Sequence, residues 1–252
     1  HDSKRWLKLL RTQPLSFDSF DILDDLVMAL DAKGLPGVDE QLIQPLLRRA
    51  QQIFDRLLRE RNGEKPLADG QTLPVNDGAL LTNPINAATL PWVVPANRPA
   101  LRLRARLVVE LLNRQRFEEC LPLLEQFVLQ LNPNDNHAFR ELLSQLYVER
   151  ARYAEALALG ARYEHYGPTL AYNQVLALMG LGRRGEALSV FAEARKDYPH
   201  VAKALAANKR PRLPAENDLI TVGSNQEAWI YRDAHYSLWQ RLGALEFVRA
   251  VR

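Results

Sequence analysis

The chain has 252 residues, of which 47% are hydrophobic and 25% are charged, and its formal net charge is +3 at pH 7. This is the balance of a folded globular protein, so disorder along the whole chain is excluded. No run of about 18 apolar residues occurs, so no membrane-spanning helix is predicted. Cys120 is the single cysteine, which excludes an internal disulfide and a cysteine-based zinc site. We therefore expect a cytoplasmic protein.

Two amphipathic helices are predicted at the start of the chain. Within Asp18–Ala32, apolar residues recur at helical spacing and aspartates lie near the favoured N-terminal end. A turn rich in glycine and proline follows, and a second helix is predicted over Glu40–Arg61. These helices form a hairpin, which is the first of four predicted segments (1–61).

The second segment, 62–99, is rich in proline and glycine and shows no helical period. A connection of this length is uncommon within a compact protein. It also contains too many apolar residues, such as Leu80, Leu81, Ile85 and Trp92, for a simple flexible linker. We interpret it as an ordered loop that packs on the helices, or as one that clamps a partner.

From Ala100 onward the chain repeats itself. The windows His137–Leu170 and Pro168–Val201 align, so that Glu155-Ala156-Leu157 matches Glu186-Ala187-Leu188. A weaker copy begins near Phe117. A helix, a turn, a second helix and a closing proline recur at about 31 to 35 residues, which is typical of helical solenoids.

This pattern resembles the tetratricopeptide repeat, whose helical hairpins carry small residues where the two helices cross. The positions that carry the resemblance are Leu143, Ser144, Tyr147, Tyr153, Ala156, Tyr163 and Pro168, and then Val175, Leu178, Gly182, Ala187, Phe191, Ala194 and Pro199. Arg104 departs from the pattern, because a large apolar residue is usual there.

A narrower similarity, to a group of bacterial tetratricopeptide proteins, covers roughly residues 90–248. Its segments are Asn97-Arg98-Pro99, Leu131–Asn136, Ile220–Ser224 with Glu227-Ala228-Trp229, and Gly243–Glu246. The resemblance implies an all-α fold: a tetratricopeptide-like solenoid of helical hairpins with a long Pro-rich insertion. Repeats would occupy 100–201, and a pair of capping helices would occupy 202–252.

Two helix starts can be predicted from capping residues. The polar run Asn134-Asp135-Asn136 favours a helix beginning directly after it. Ser224 with Glu227 forms a capping box that opens a helix over Asn225–Arg241. The aromatic stripe along that helix would cover the open end of the solenoid, or alternatively form a ligand pocket.

Motifs for catalysis are absent from the sequence. It contains no phosphate-binding loop, no Gly-x-Ser-x-Gly elbow, and no histidines at the spacing of metal ligands. We therefore expect no enzymatic activity and no cofactor or metal. An enzyme that uses Glu64, Asp69 or Asp77 of the 62–99 loop is a rival hypothesis.

The resemblance implies that the first helix of each hairpin lines a concave groove that binds a peptide or a partner protein. The residues that it assigns to partner binding are Arg102, Arg106, Val109, Asn113, Glu141, Gln145, Val148, Glu149, Tyr172, Asn173, Leu176 and Met179. Among them, Arg106 and Asn173 are similar to members of a clamp that holds a peptide carboxylate in some tetratricopeptide proteins.

The expected function is that of a non-enzymatic scaffold or adaptor, with a partner protein encoded nearby or carried on the same longer chain. The charge layout leaves an alternative open. Residues 16–40 are acidic, whereas 98–116 and 195–212 are basic. The basic patches would suit a nucleic-acid-binding accessory protein, although solvated helix faces have the same composition.

Overall fold

The computed structural model describes residue 12 and residues 18–32, 42–61, 89–163, 167–209 and 220–250. These residues form helices joined by turns, and none of them lies in a strand. The predicted all-α class is confirmed for this part of the chain. Residues 62–88, which make up most of the Pro-rich segment, lie outside the described residues, so the interpretation of that segment stays a prediction.

The chain divides into two compact units, unit 1 (His1–His137) and unit 2 (Ala138–Arg252). The division falls inside the segment 100–201 that the sequence predicts as one array of repeats. The residues predicted for partner binding are therefore shared between the units, with Arg102, Arg106, Val109 and Asn113 in unit 1 and those from Glu141 onward in unit 2.

Unit 1 is built from four helices among its described residues: α1 (Phe20–Asp31), α2 (Gln44–Arg61), α3 (Arg98–Asn113) and α4 (Phe117–Gln126). A short 3-10 turn precedes α3, and a π-helical turn, Phe127–Leu131, continues α4. Helices α1 and α2 pack on each other and both pack on α3, which also packs on α4. Fully buried leucines and one isoleucine fill the core between them: Leu23, Ile43, Leu47, Leu101 and Leu124.

The described part of unit 2 contains α5 (Phe139–Glu149), α6 (Tyr153–Arg162), α7 (Gly167–Gly180), α8 (Arg184–Asp197), α9 (Pro199–Ala206), α10 (Asn225–Arg241) and α11 (Ala244–Ala250). Each helix from α5 to α8 packs on the next, and α5 also packs on α7. Helix α10 packs on α9 and against both α5 and α7. The first helices of two successive hairpins are thus covered by a helix from later in the chain.

Three turns share one backbone geometry, namely those between α3 and α4, α5 and α6, and α7 and α8. The residue that precedes the second helix is an arginine with φ near −85° and ψ near 60°, and it follows a residue with positive φ. These arginines are Arg116, Arg152 and Arg183. Each backbone N–H donates to a carbonyl of the preceding helix at 2.8–2.9 Å. Such bonds satisfy carbonyl groups that a helix end would otherwise leave without a partner.

Each of the same arginines also pairs with a glutamate three residues further along the chain, Glu119, Glu155 and Glu186 respectively. The small residue that follows each glutamate is buried: Cys120, Ala156 and Ala187 are at most 1% exposed. A small side chain at that position lets the two helices of a hairpin approach closely. Sequence, turn geometry and packing therefore recur together three times, and two of the three copies lie in unit 2.

One predicted helix start is wrong and the other is confirmed. Helix α5 begins at Phe139 rather than directly after Asn136, and its N-cap, Ala138, makes no side-chain hydrogen bond. The polar run instead forms a turn in which the Asp135 N–H donates to the Asn132 carbonyl at 2.7 Å, and the side chain of Asp135 is buried. At α10 the Ser224 hydroxyl accepts a hydrogen bond from the Glu227 N–H at 3.2 Å, as predicted.

Candidate interaction surface

In unit 1, the predicted partner-binding arginines lie on α3 and are paired with acidic residues of α1. The Arg102 Nε donates to Asp24 Oδ2 at 2.9 Å, and the Arg106 guanidinium lies 3.0 Å from Asp31 Oδ1. Arg106 also lies 2.8 Å from Glu110 on its own helix. Asn113, at the end of α3, is exposed. A partner that used these arginines would therefore have to replace carboxylates of the same chain.

The other arginines of the basic patch 98–116 also contact groups within unit 1. Arg98 donates to the Trp92 carbonyl and lies over the Trp92 ring, while Arg114 and Arg116 pair with Glu110 and Glu119. The positive charge of residues 98–116 is thus largely compensated by partners within unit 1.

Arg104 is the member of this patch that is fully buried. Its guanidinium contacts the side-chain oxygens of Gln51 and Gln126, lies over the Phe54 ring and is 4.0 Å from Asp55. Burial lowers the pKa of Arg104 to about 10, against the opposing attraction of Asp55, and burial also raises the pKa of Asp55. The departure from the repeat pattern at this position is therefore a buried polar contact between α2, α3 and α4.

In unit 2, four predicted partner-binding residues keep part of their surface accessible. These are Glu141, Gln145 and Glu149 on α5, and Met179 on α7. Glu141 accepts a hydrogen bond from the Thr169 hydroxyl at 3.3 Å, and the Gln145 amide donates to Glu149 at 2.8 Å. They form a partly polar edge on α5 and α7.

The other four predicted residues of unit 2 are completely buried: Val148, Tyr172, Asn173 and Leu176. In this structure they face α10, which packs against α5 and α7 where a partner was expected. Their assignment to partner binding stays a prediction. The resemblance does not indicate that the covering helix belongs to the same chain.

A buried polar network joins the three helices at this contact. Asn173 donates to the Ser144 hydroxyl at 3.2 Å and accepts from the Tyr231 hydroxyl at 3.3 Å. The Trp239 indole N–H donates to the Tyr231 oxygen at 2.9 Å. Asn173 thus already holds two groups of unit 2, and Arg106 is paired with Asp31 and Glu110, so a peptide carboxylate would have to replace these partners. The carboxylate clamp stays a prediction.

Aromatic rings surround the network and shift the pKa of its titratable groups. The centroid of the Tyr172 ring lies 5.6 Å from that of Tyr231 and 6.1 Å from that of Trp239. The His235 ring stacks on the Tyr231 ring with a centroid distance of 4.3 Å. Burial raises the pKa of Tyr172 and raises that of Tyr231 well above its ordinary value. Burial lowers the pKa of His235 to about 4, although its hydrogen bond to the Tyr231 carbonyl opposes this. The contact therefore favours neutral side chains.

The residues that sequence reasoning missed are the partners supplied by the chain itself, chiefly Asp24, Asp31 and Tyr231. A signal for the first two existed, since the acidic block 16–40 complements the basic block 98–116. For Tyr231 the signal was the aromatic stripe of α10, which is buried in the structure.

The second basic patch differs from the first. Lys196, Lys203 and Lys209 are exposed, and none of them forms an ion pair with the residues that the structure describes. Within the same described ranges, no group of three or more histidine, cysteine or acidic side chains is placed to hold a metal ion. None of the described helices is both long enough and apolar enough to cross a membrane.

Comparisons of the chain with models of protein families, with curated proteins and with solved structures found no match in any of the three.

Proposed function

We propose that this chain is a non-enzymatic scaffold or adaptor of the tetratricopeptide type, which binds a helical or extended segment of a partner protein. The observation that carries the proposal is the packing of α10 on α5 and α7. These helices hold an amphipathic helix through Tyr172 and Asn173, which the tetratricopeptide resemblance assigns to partner contact. Helical grooves that recognise peptides use the same arrangement of buried anchors and a polar rim.

The three equivalent turns at Arg116, Arg152 and Arg183 support the tetratricopeptide type. In each, a residue with positive φ, a capping arginine, its paired glutamate and a small buried residue follow in the same order. A repeated hairpin explains this recurrence more simply than three unrelated turns, because each hairpin needs the same close approach of its helices.

Because α10 covers one side of α5 and α7, a partner of unit 2 must bind elsewhere on these helices. Since α10 covers Tyr172, Asn173 and Leu176, the proposed contact is the edge formed by Gln145, Glu149 and Met179, which stays partly accessible.

The test is capture of a partner from a lysate of the source organism, with the whole chain as bait, at low and high salt and with nuclease. A variant that carries Gln145→Ala and Glu149→Ala removes the polar groups of the edge. Glu193→Ala, on an exposed position of α8, is the matched control. We expect a discrete protein that survives salt and nuclease and is lost with the edge variant alone. Capture that the edge variant leaves unchanged would move the binding site elsewhere, and absence of any captured protein would contradict the scaffold.

A nucleic-acid-binding accessory protein is the second candidate, and the three unpaired lysines of the 195–212 patch favour it. Phosphate contacts release counterions, so binding through these lysines would fall steeply with salt. A triple Lys196→Gln, Lys203→Gln and Lys209→Gln variant should then lose nucleic-acid binding and show a shallower salt dependence. Binding with the same salt slope in that variant would contradict this candidate.

A further inference from the structure

Aspartates at and before helix α1 form ion pairs with arginines of α2 and α3. Asp18, just before the helix, lies 2.5 Å from the Arg49 guanidinium of α2. Asp24 and Asp31 meet Arg102 and Arg106 of α3. Charge complementarity thus runs along the whole length of α1.

The position of Asp31 is unfavourable for α1 as an isolated helix. It lies in the last turn, where the helix dipole favours cations, and that turn carries no basic residue. The arginine that compensates Asp31 is Arg106 of α3, at 3.0 Å. The charge pattern of α1 therefore fits its docking surface better than it fits the helix itself.

The apolar part of the same contact is only partly buried. Leu23 and Val27 are buried and the Phe20 ring lies 5.8 Å from that of Phe54, whereas Met28 is 58% exposed. A small cavity remains where α1, α2 and α3 meet, and it is lined by residues that include Phe20, Phe54 and Leu103. A helix of 12 residues is marginal by itself, so α1 depends on this contact for its stability.

We propose that the α3 surface that carries Arg102 and Arg106 is a docking site for an acidic amphipathic helix of a partner protein, and that α1 is a built-in occupant that competes with it. This inference rests on the proposed scaffold function, because it names the class of partner and the way its binding is controlled. The occupant is defined by the chemistry of α1: aspartates spaced to meet both arginines, beside a narrow aliphatic stripe.

The test uses the full-length protein and a labelled peptide with the sequence of residues 18–32 as the acidic helix. In the unaltered chain α1 holds the site from within, at a high effective concentration, so the peptide should bind weakly. An Asp24→Asn and Asp31→Asn variant weakens α1 but leaves α3 intact. We expect it to bind the peptide about tenfold more tightly than the unaltered chain does, since the competing helix is loosened.

The matched control is Asp21→Asn with Asp25→Asn, which removes the same charge from exposed positions of α1 that act on Arg102 without a hydrogen bond. It should bind the peptide much less tightly than the loosened variant does. Adding Arg102→Gln and Arg106→Gln to the loosened variant should abolish binding, and a peptide of scrambled sequence should not bind. Equal affinity for the loosened variant and its control, or binding that persists without the arginines, would overturn the proposal.

Hydrogen exchange on the unaltered chain keeps the proposal testable if the loosened variant does not fold. The amides of α1 should exchange at least about tenfold faster than those of α10, because a displaceable helix opens locally. Equal protection of the two helices would overturn the proposal. Its failure is distinguishable from that of the scaffold, since partner capture through the Gln145 and Glu149 edge does not require α1 to open.

Discussion

Both units cover the first helix of a hairpin with another helix of the same chain, but they do so by different physical means. In unit 1, α1 is held on α3 by ion pairs whose arginines are 43% and 33% exposed. In unit 2, α10 is held on α5 and α7 by aromatic rings and a hydrogen-bond network that are buried. The first contact is charged and its arginines are partly exposed, although Asp24 itself is buried, whereas the second contact is buried and neutral.

This difference indicates which of the two covering helices a partner helix could replace. Ion pairs between exposed side chains contribute about 0–1 kcal/mol each and weaken with salt. A large side chain buried completely contributes about 1.5–3 kcal/mol, and breaking a buried hydrogen bond adds to the cost of removing it. Helix α10 is therefore part of the core of unit 2, while α1 is the helix that a competitor can replace.

The largest expected effect comes from Trp239→Ala in α10. Trp239 is completely buried and donates to the Tyr231 oxygen, so the substitution leaves a cavity and an incomplete polar network. We expect it to lower the free energy of unfolding by about 3–5 kcal/mol, measured by urea denaturation and circular dichroism. Gln240→Ala, at an exposed neighbouring position, is the control and should change it little. A small effect of Trp239→Ala would make α10 as replaceable as α1.

Acidification should destabilise the α10 contact through His235. Its pKa is about 4 in the folded chain, against an ordinary value of 6.5, and its Nε2 is buried without a hydrogen-bond partner among the described residues. Between pH 6.5 and 4 the unfolded chain binds a proton that the folded chain does not. The free energy of unfolding is therefore not lowered by His235 above pH 6.5. It falls as the pH drops toward 4, by about 3 kcal/mol in all.

The measurement for His235 is the difference in unfolding free energy between the unaltered chain and a His235→Gln variant, from pH 7 to pH 4. Carboxylates titrate in the same range in both proteins, so only the difference reports on the histidine. It should shrink as pH falls, and a difference independent of pH would contradict the buried neutral imidazole.

The small buried residue where two helices of a hairpin cross should be equally sensitive to substitution in both units. In this it differs from the covering helices α1 and α10. Cys120→Leu in unit 1 and Ala156→Leu in unit 2 insert a larger side chain at a buried crossing of two helices. Each should lower the free energy of unfolding by about 1–3 kcal/mol through overpacking. Ala154→Leu, on the exposed side of α6, should be nearly neutral. A melting curve unchanged by both buried substitutions would contradict the close packing of these positions, and a loss at only one of them would contradict their equivalence.

The smallest expected effect is that of Asp24→Asn in α1. The substitution keeps the shape of the side chain but removes the buried charge that faces Arg102, whose guanidinium is 43% exposed and can be solvated by water once the carboxylate is gone. We expect a loss of about 1 kcal/mol that diminishes as salt is added. Asp25→Asn should cost less, because its exposed carboxylate acts on Arg102 without a hydrogen bond, and a loss unaffected by salt would show that the contact is not mainly electrostatic.

The sequence by itself determined the local features of this protein. Apolar spacing predicted helices close to the observed α1 and α2, and the Ser224 capping box predicted the start of α10. The buried small residues Ala156 and Ala187 were also indicated by the repeat. These features depend on neighbours within a few turns of chain, so a single sequence contains them.

Only the tertiary structure decided what covers each helix. Arg102 and Asp24 are 78 positions apart, and Tyr231 and Asn173 are 58 apart. The sequence of α7 is largely apolar, but that applies equally to a helix covered by a partner and to one covered by α10. The choice depends on where distant segments pack, which is why Tyr172, Asn173 and Leu176 were expected in an open groove and lie instead in the core.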